Sequence, residues 1–291
     1  KNWVRSKDKD AHFIPTDTVY VTIDKAAVRK SGMMMASDSI PDRMVISLKG
    51  KNALYKGDLM MLEMIAQSNW VRPIYVASTV GQENYMNLGD NFVQEGLANR
   101  ITPFTTNKAG AKNFDTQKTY NNVMNRYKYG GLWRKGIYID ETLMRMCYTH
   151  RRIMAQLALH LISEGDKQKA SKVLQKAEKE LPPYNIPYSY MNGGLDIARA
   201  YALLGQTAKA KEVANAVWTQ SQQYLNWYLS LDGSRFANSM NDCMLQIYIL
   251  RQTAAVMGMA DKQAAAQQEN KLNMLFKQYQ EKGGAIPLDE E

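Results

Sequence analysis

Gly165 and Gly205 stand forty residues apart, and the residues around them repeat. Alanine lies five residues after each glycine (Ala170, Ala210) and seven before (Ala158, Ala198), with Leu161 and Tyr201 four before. Ala177 and Pro182 complete the first run. Two helices cross closely only where small side chains let the backbones approach. A glycine lets the chain reverse between them, and a proline ends the second helix. This pattern reads as TPR-like helical hairpins, each stacking on the next. A third hairpin, with Gly258 and Ala264-Ala265, fits more loosely. Such an array either offers a concave surface to a protein or peptide, or packs against the rest of its own protein.

The helical part begins near Thr116. A short helix is expected over Thr119–Tyr127, ended by Gly130-Gly131. Asp140 has the character of an N-cap for a long helix to about Glu164. Past Gly165-Asp166 a second helix runs to Glu180 and stops at Leu181-Pro182-Pro183. The next pair spans Asn192 to Leu204-Gly205 and Thr207 to beyond Trp218. The last spans Ser239 to Met257-Gly258 and Asp261 to Tyr279, with a tail from Gly283 to Glu291.

The first third has a different texture. Thr18–Ile23, Met44–Leu48 and Pro73–Ala77 are rich in β-branched and aromatic residues and read as strands. Between the last two, Lys56–Asn69 has helical spacing of Met60, Met61, Met64 and Ile65, with Asp58 able to cap it. A strand–helix–strand order predicts a parallel, right-handed crossover. Asn91–Asn99 is expected to be a short helix, and the small polar run Asn107–Ala111 to be a boundary. The fold class is therefore α+β, a small N-terminal α/β domain over 1–115 followed by an all-α array of TPR-like hairpins over 116–291.

Hydrophobic residues make up 45% of the 291, which excludes a disordered chain. The longest apolar stretches, such as Ile153–Ile162, are broken by Gln156 and His160, so none is long enough to span a bilayer. The formal charge of +9 suits either anionic partners or simple solubility, and without a basic run of five residues it does not point to nucleic acid. Cys147 and Cys243 fall on apolar helical faces outside any CxxC; they read as buried free thiols, with an interhelix disulfide as the alternative. The opening Lys1-Asn2-Trp3 reads as a segment of a longer parent.

No catalytic constellation is recognisable. His12, His150 and His160 lack ligand spacing, so no metal site is expected. GxSxG and phosphate-binding glycine loops are absent, and no cofactor is implied. Asp140-Glu141 sit where a helix dipole favours acids. Trp218, Tyr224, Trp227 and Tyr228 form either helical core or a stripe for stacking on sugar rings. Asp17-Thr18-Val19 and Asp38-Ser39-Ile40 fit a short O-glycan acceptor pattern at Thr18 and Ser39, which is also short enough to arise by chance. The candidate binding residues are Trp70, Arg72, Glu95 and Arg100, next to a short buried strand, and Trp227. The alternative for Glu95 and Arg100 is a structural ion pair tying helix to strand.

Seven segments together carry a family resemblance: Phe13-Ile14-Pro15, Leu54–Met60, Asn69–Tyr75, Gln94–Arg100, Tyr120–Asn125, Tyr138–Thr142, and Leu157-Ala158 through Gly165. Their order and spacing resemble the C-terminal region of the DUF2723 proteins, over most of the chain to about residue 200. Those are multi-pass bacterial membrane proteins similar to GT-C protein O-mannosyltransferases. The resemblance implies a parent with an N-terminal membrane-helix bundle that holds the catalytic acid and takes a lipid-linked sugar donor. It implies a periplasmic position for this region, at the inner membrane. Its partners would then be the parent transmembrane domain, a protein or glycan substrate and the membrane surface. It carries no catalytic residue onto any position here. A free-standing TPR-type adaptor and a carbohydrate-binding module are the alternatives.

Overall fold

A computed structural model describes residues 16–33, 39–105 and 113–284. His12, Phe13-Ile14-Pro15, Asp38, the Asn107–Ala111 boundary and the tail beyond Gly284 lie outside them. The chain divides into two compact units, Lys1–Thr119 and Tyr120–Glu291. The architecture is α+β: a small sheet region, then a helical array.

In the first unit β1 (Thr18–Thr22) leads into α1 (Lys25–Lys30), and β2 (Arg43–Ser47) returns antiparallel along β1, Tyr20 opposite Val45. Asp24 starts α1 by accepting from the Ala26 and Ala27 amides at 2.9 and 3.0 Å. The strand period of two turns Val21, Met44 and Ile46 inward and leaves Tyr20 and Val45 exposed.

The next helix, α2 (Lys56–Gln67), buries Ile65, while Met60 and Met64 face outward despite their helical spacing. Asp58 is not its cap. It sits one turn in, where its carboxylate accepts from the Tyr55 amide at 2.9 Å and from Lys51 Nζ at 3.0 Å. These bonds hold its pKa below the usual carboxylate range, the Tyr55 amide contributing most.

The expected parallel crossover is absent. Strands β3 (Tyr75–Ala77), β4 (Phe92–Gln94) and β5 (Ala98–Ile101) form a separate antiparallel sheet in the order β3-β5-β4. Each strand on either side of α2 finds its partner elsewhere, β2 in β1 and β3 in β5. The helix expected over Asn91–Asn99 is instead the β4–β5 hairpin. Gly96, at φ 98°, takes a conformation closed to a helix, and the Glu95 amide reaches the Ala98 carbonyl at 2.8 Å across the turn. The core gathers Val21, Met44, Ile46, Ile65, Trp70, Leu88, Phe92 and Ile101.

α3 (Thr116–Asn121) runs into a π-helical turn at Asn122–Arg126, and Tyr127 ends it in extended backbone. In the second unit α4 (Glu141–Ser163) and α5 (Lys167–Glu180) form one hairpin, α6 (Gly194–Leu203) and α7 (Thr207–Ser230) the next. Gly165 and Gly205 make the two turns at φ 86° and 74°. Ala158, Ala170, Ala198 and Ala210 are all buried, as close helix packing requires. After the short α8 (Gly233–Asn238), α9 (Met240–Ala260) and α10 (Lys262–Glu281) form the last pair. Gly258 does not turn the chain; it is helical, and the reversal falls at Asp261, whose side chain caps α10 at the Ala264 amide, 3.0 Å away. α4 packs on α5 and α6, α6 on α7 and α9, and α9 on α7 and α10.

Candidate functional site

The first helices of the three hairpins, α4, α6 and α9, share one groove of about 430 Å³. Arg152 and Gln156 come from α4, Leu195, Asp196 and Arg199 from α6, and Tyr248 and Gln252 from α9. The turn before α6 contributes Tyr190, Met191 and Gly193.

That turn is rigidly built. Asn192 is fully buried; its Oδ1 accepts from the Ser189 amide at 3.0 Å and its Nδ2 donates to the Pro187 carbonyl at 2.6 Å. Gly193 is left-handed at φ 77°, and a Cβ there would lie 3.1 Å from the Arg152 Cα. A Cβ on Gly194 would meet the Ser189 carbonyl at 2.7 Å. The two glycines therefore let the turn close onto α4 and α7. Met191 is consequently presented 61% exposed, and Tyr190 meets Tyr248 edge-on at 6.3 Å. Burial and the neighbouring Tyr248 push the Tyr190 hydroxyl's pKa up, so it stays a neutral donor.

The groove's charge is positive. Arg199 and Asp196 form a loose pair at 3.6 Å, both partly exposed. Arg152 is exposed and makes no ion pair among the described residues; its guanidinium contacts the Thr149 hydroxyl at 3.5 Å.

The sequence-predicted residues do not form one pocket. Glu95 and Arg100 do meet, at 2.9 Å, and both are almost fully buried. Tyr75 donates to Glu95 at 2.8 Å, and Lys118 approaches it at 3.0 Å. Arg100 also donates to the Gly32 and Met33 carbonyls at 3.3 and 3.1 Å. The pair thus ties the β4–β5 turn to β5 and to the end of the α1 segment, not helix to strand. Burial, then the bond to Glu95, pushes the Tyr75 pKa to about 12. In this network the Glu95 carboxylate is taken up by Arg100, Tyr75 and Lys118. Trp70 lies in the core, in a left-handed backbone at φ 60°, and Arg72 is exposed outside the network.

In the second unit the aromatic cluster divides. Trp218 is buried and Tyr228 packs on the core, while Tyr224 and Trp227 are exposed, Trp227 at 57%. Cys147 and Cys243 are free and buried, and burial raises both thiol pKa values. Thr18 lies within β1 and donates to Asp17 at 2.9 Å. Among the described residues no group of three or more His, Cys, Asp or Glu could hold a metal ion, and no helix is long and apolar enough to cross a membrane.

These features define an α+β protein whose open groove is built by a helical array. Residues 1–120, less than half of the chain, match the family model described as TMEM260-associated domain 2. No curated protein and no solved structure matches the chain.

Proposed function

We propose that this chain is a non-catalytic docking domain, the extracytoplasmic part of a membrane glycosyltransferase-like protein. The observation that carries the docking half is the groove shared by α4, α6 and α9. A groove lined by the first helix of each successive hairpin is what a TPR-like array presents to an extended peptide, and the alanine-packed glycine turns support that likeness. The membrane half rests on the seven-segment resemblance to the DUF2723 proteins, joined by the match of residues 1–120 to a domain described as associated with TMEM260. The test is the topology of the intact parent in spheroplasts. Pelleting with the membrane and protease cleavage of this region from outside agree with it; a soluble cytoplasmic protein would leave a free-standing adaptor. Turnover of a lipid-linked sugar by this chain alone would contradict the non-catalytic role.

A second reading has its own observation. A shallow cleft of about 500 Å³ is lined by Pro183, Pro187, Tyr188, Asn215, Ala216, Thr219, Gln220 and Gln223, none of them charged. Gln220, Gln223 and Trp227 share one face of α7 by the helical period. Amides beside an exposed indole suit a neutral sugar. Glycan-array binding that is lost in Trp227→Ala would support this reading, and binding to no neutral glycan would remove it.

A further inference from the structure

We infer that the groove of α4, α6 and α9 takes an extended acidic peptide, one that alternates carboxylates with apolar side chains. This deepens the docking reading and rests on it. Three chemistries converge there. Arg152 and Arg199 outnumber Asp196, so the groove carries a guanidinium not neutralised within it. A guanidinium presents paired N–H donors that match a carboxylate's two oxygens, a fit that Lys cannot reproduce. Gln156 and Gln252 stand on the two outer helices, and each amide can both donate to and accept from a peptide main chain. Tyr190, Tyr248 and the Met191 thioether make an apolar rim for the side chain next to the acid.

The rim is held in place before any ligand arrives. The buried Asn192 bonds and the close-packed Gly193 and Gly194 fix the turn, so ordering it costs no affinity on binding. A basic peptide meets two guanidiniums and is repelled. A wholly apolar one leaves the arginines and glutamines without new partners.

The experiment uses the full chain and three fluorescein-labelled peptides that alternate Leu with Glu, Gln or Lys, read by fluorescence anisotropy. The Glu peptide is expected to bind about tenfold or more tighter than the Gln peptide, with affinity falling as salt is added. The double variant R152Q/R199Q should bring it down to the Gln level. R152E/R199E should transfer the preference to the Lys peptide. Both sites are at the surface of helices, and unchanged circular dichroism melting checks that the variants fold. Equal binding of the Glu and Gln peptides, lost in Tyr248→Ala, would overturn the acidic specificity and leave the docking groove standing. Binding of none of the three overturns both.

Discussion

The guanidinium of Arg151 lies over the ring of Tyr188, 4.7 Å from its centroid, and makes no ion pair among the described residues. It is completely buried, and it donates instead to the carbonyls of Leu181, Ile186 and Pro187 at 2.6, 2.6 and 3.1 Å. Burial pulls its pKa down to about 10, which leaves it charged at neutral pH. Pro182, Pro183 and Pro187 stop the segment between α5 and α6 from continuing as helix, which leaves the Leu181, Ile186 and Pro187 carbonyls outside any helical ladder. Arg151 supplies the missing donors, and thereby fixes the segment that leads into the Tyr190–Gly193 turn.

Arg151→Met should therefore strand the two buried carbonyls of Leu181 and Ile186, the Pro187 carbonyl keeping its bond from Asn192, and lower stability by about 3 kcal/mol. Far-UV circular dichroism during urea unfolding reads it, since the second unit is helical. A midpoint unchanged from the parent would mean water replaces the guanidinium without loss.

Two glycines with similar backbone angles should respond differently. Gly205 at φ 74° has nothing within 4 Å of where a Cβ would stand, whereas at Gly193 that atom would meet Arg152. Gly205→Ala should cost only the left-handed penalty of about 1 kcal/mol, and Gly193→Ala clearly more. Equal losses in thermal melts would show that α4 gives way easily.

His150 sits against the edges of Tyr127 and Tyr129, with ring centroids 5.6 and 5.2 Å away. Burial lowers its pKa from the ordinary 6.5. The unfolded chain then takes up this proton first as pH falls. The contribution is full above 6.5 and is lost as pH drops through the lower folded value. His150→Phe should flatten the slope of stability against pH in that window. A slope identical to the parent's would assign it to other groups.

In the first unit Glu95→Gln should leave Arg100 buried beside a neutral amide, destabilising the hairpin by about 3 kcal/mol. Arg72→Ala, at the surface, should stay within about 0.5 kcal/mol. Amide exchange of Glu95 and Thr102, which bond to the Ala98 and Asn91 carbonyls at 2.8 Å each, reports the local opening. Equal exchange in both variants would deny the network its structural role.

The glycine turns, the alanine contacts and the cap of α4 at Asp140, whose carboxylate accepts from the Leu143 amide at 2.8 Å, are legible in the sequence because each is set by local geometry. The antiparallel sheets are not. Tyr75 pairs with Arg100 and Thr18 with Ser47, partners too distant along the chain to leave a local mark, and Gly96 alone hints that Asn91–Asn99 turns back. The groove is hidden by the register of the third repeat. Aligned on Ala254, six residues back is Tyr248 and two back is Gln252, the same offsets as Arg152 and Gln156 from Ala158. Gly258 disguises that register, because in the other two hairpins a glycine marks the turn and here Asp261 does. Trp70 and Arg72 have the look of a site because they precede a strand that reads as buried, yet β3 buries only Val76, Trp70 fills the core and Arg72 is exposed to solvent.

Methyl NMR of methionine-labelled full chain, titrated with the alternating Glu–Leu peptide, reads the groove most directly. Met191 stands exposed on its rim, while Met60, Met64 and Met274 are exposed elsewhere in the chain and serve as controls. A docking groove shifts the Met191 resonance and leaves the three controls in place. Shifts at Met60, Met64 or Met274 with Met191 unmoved would contradict it.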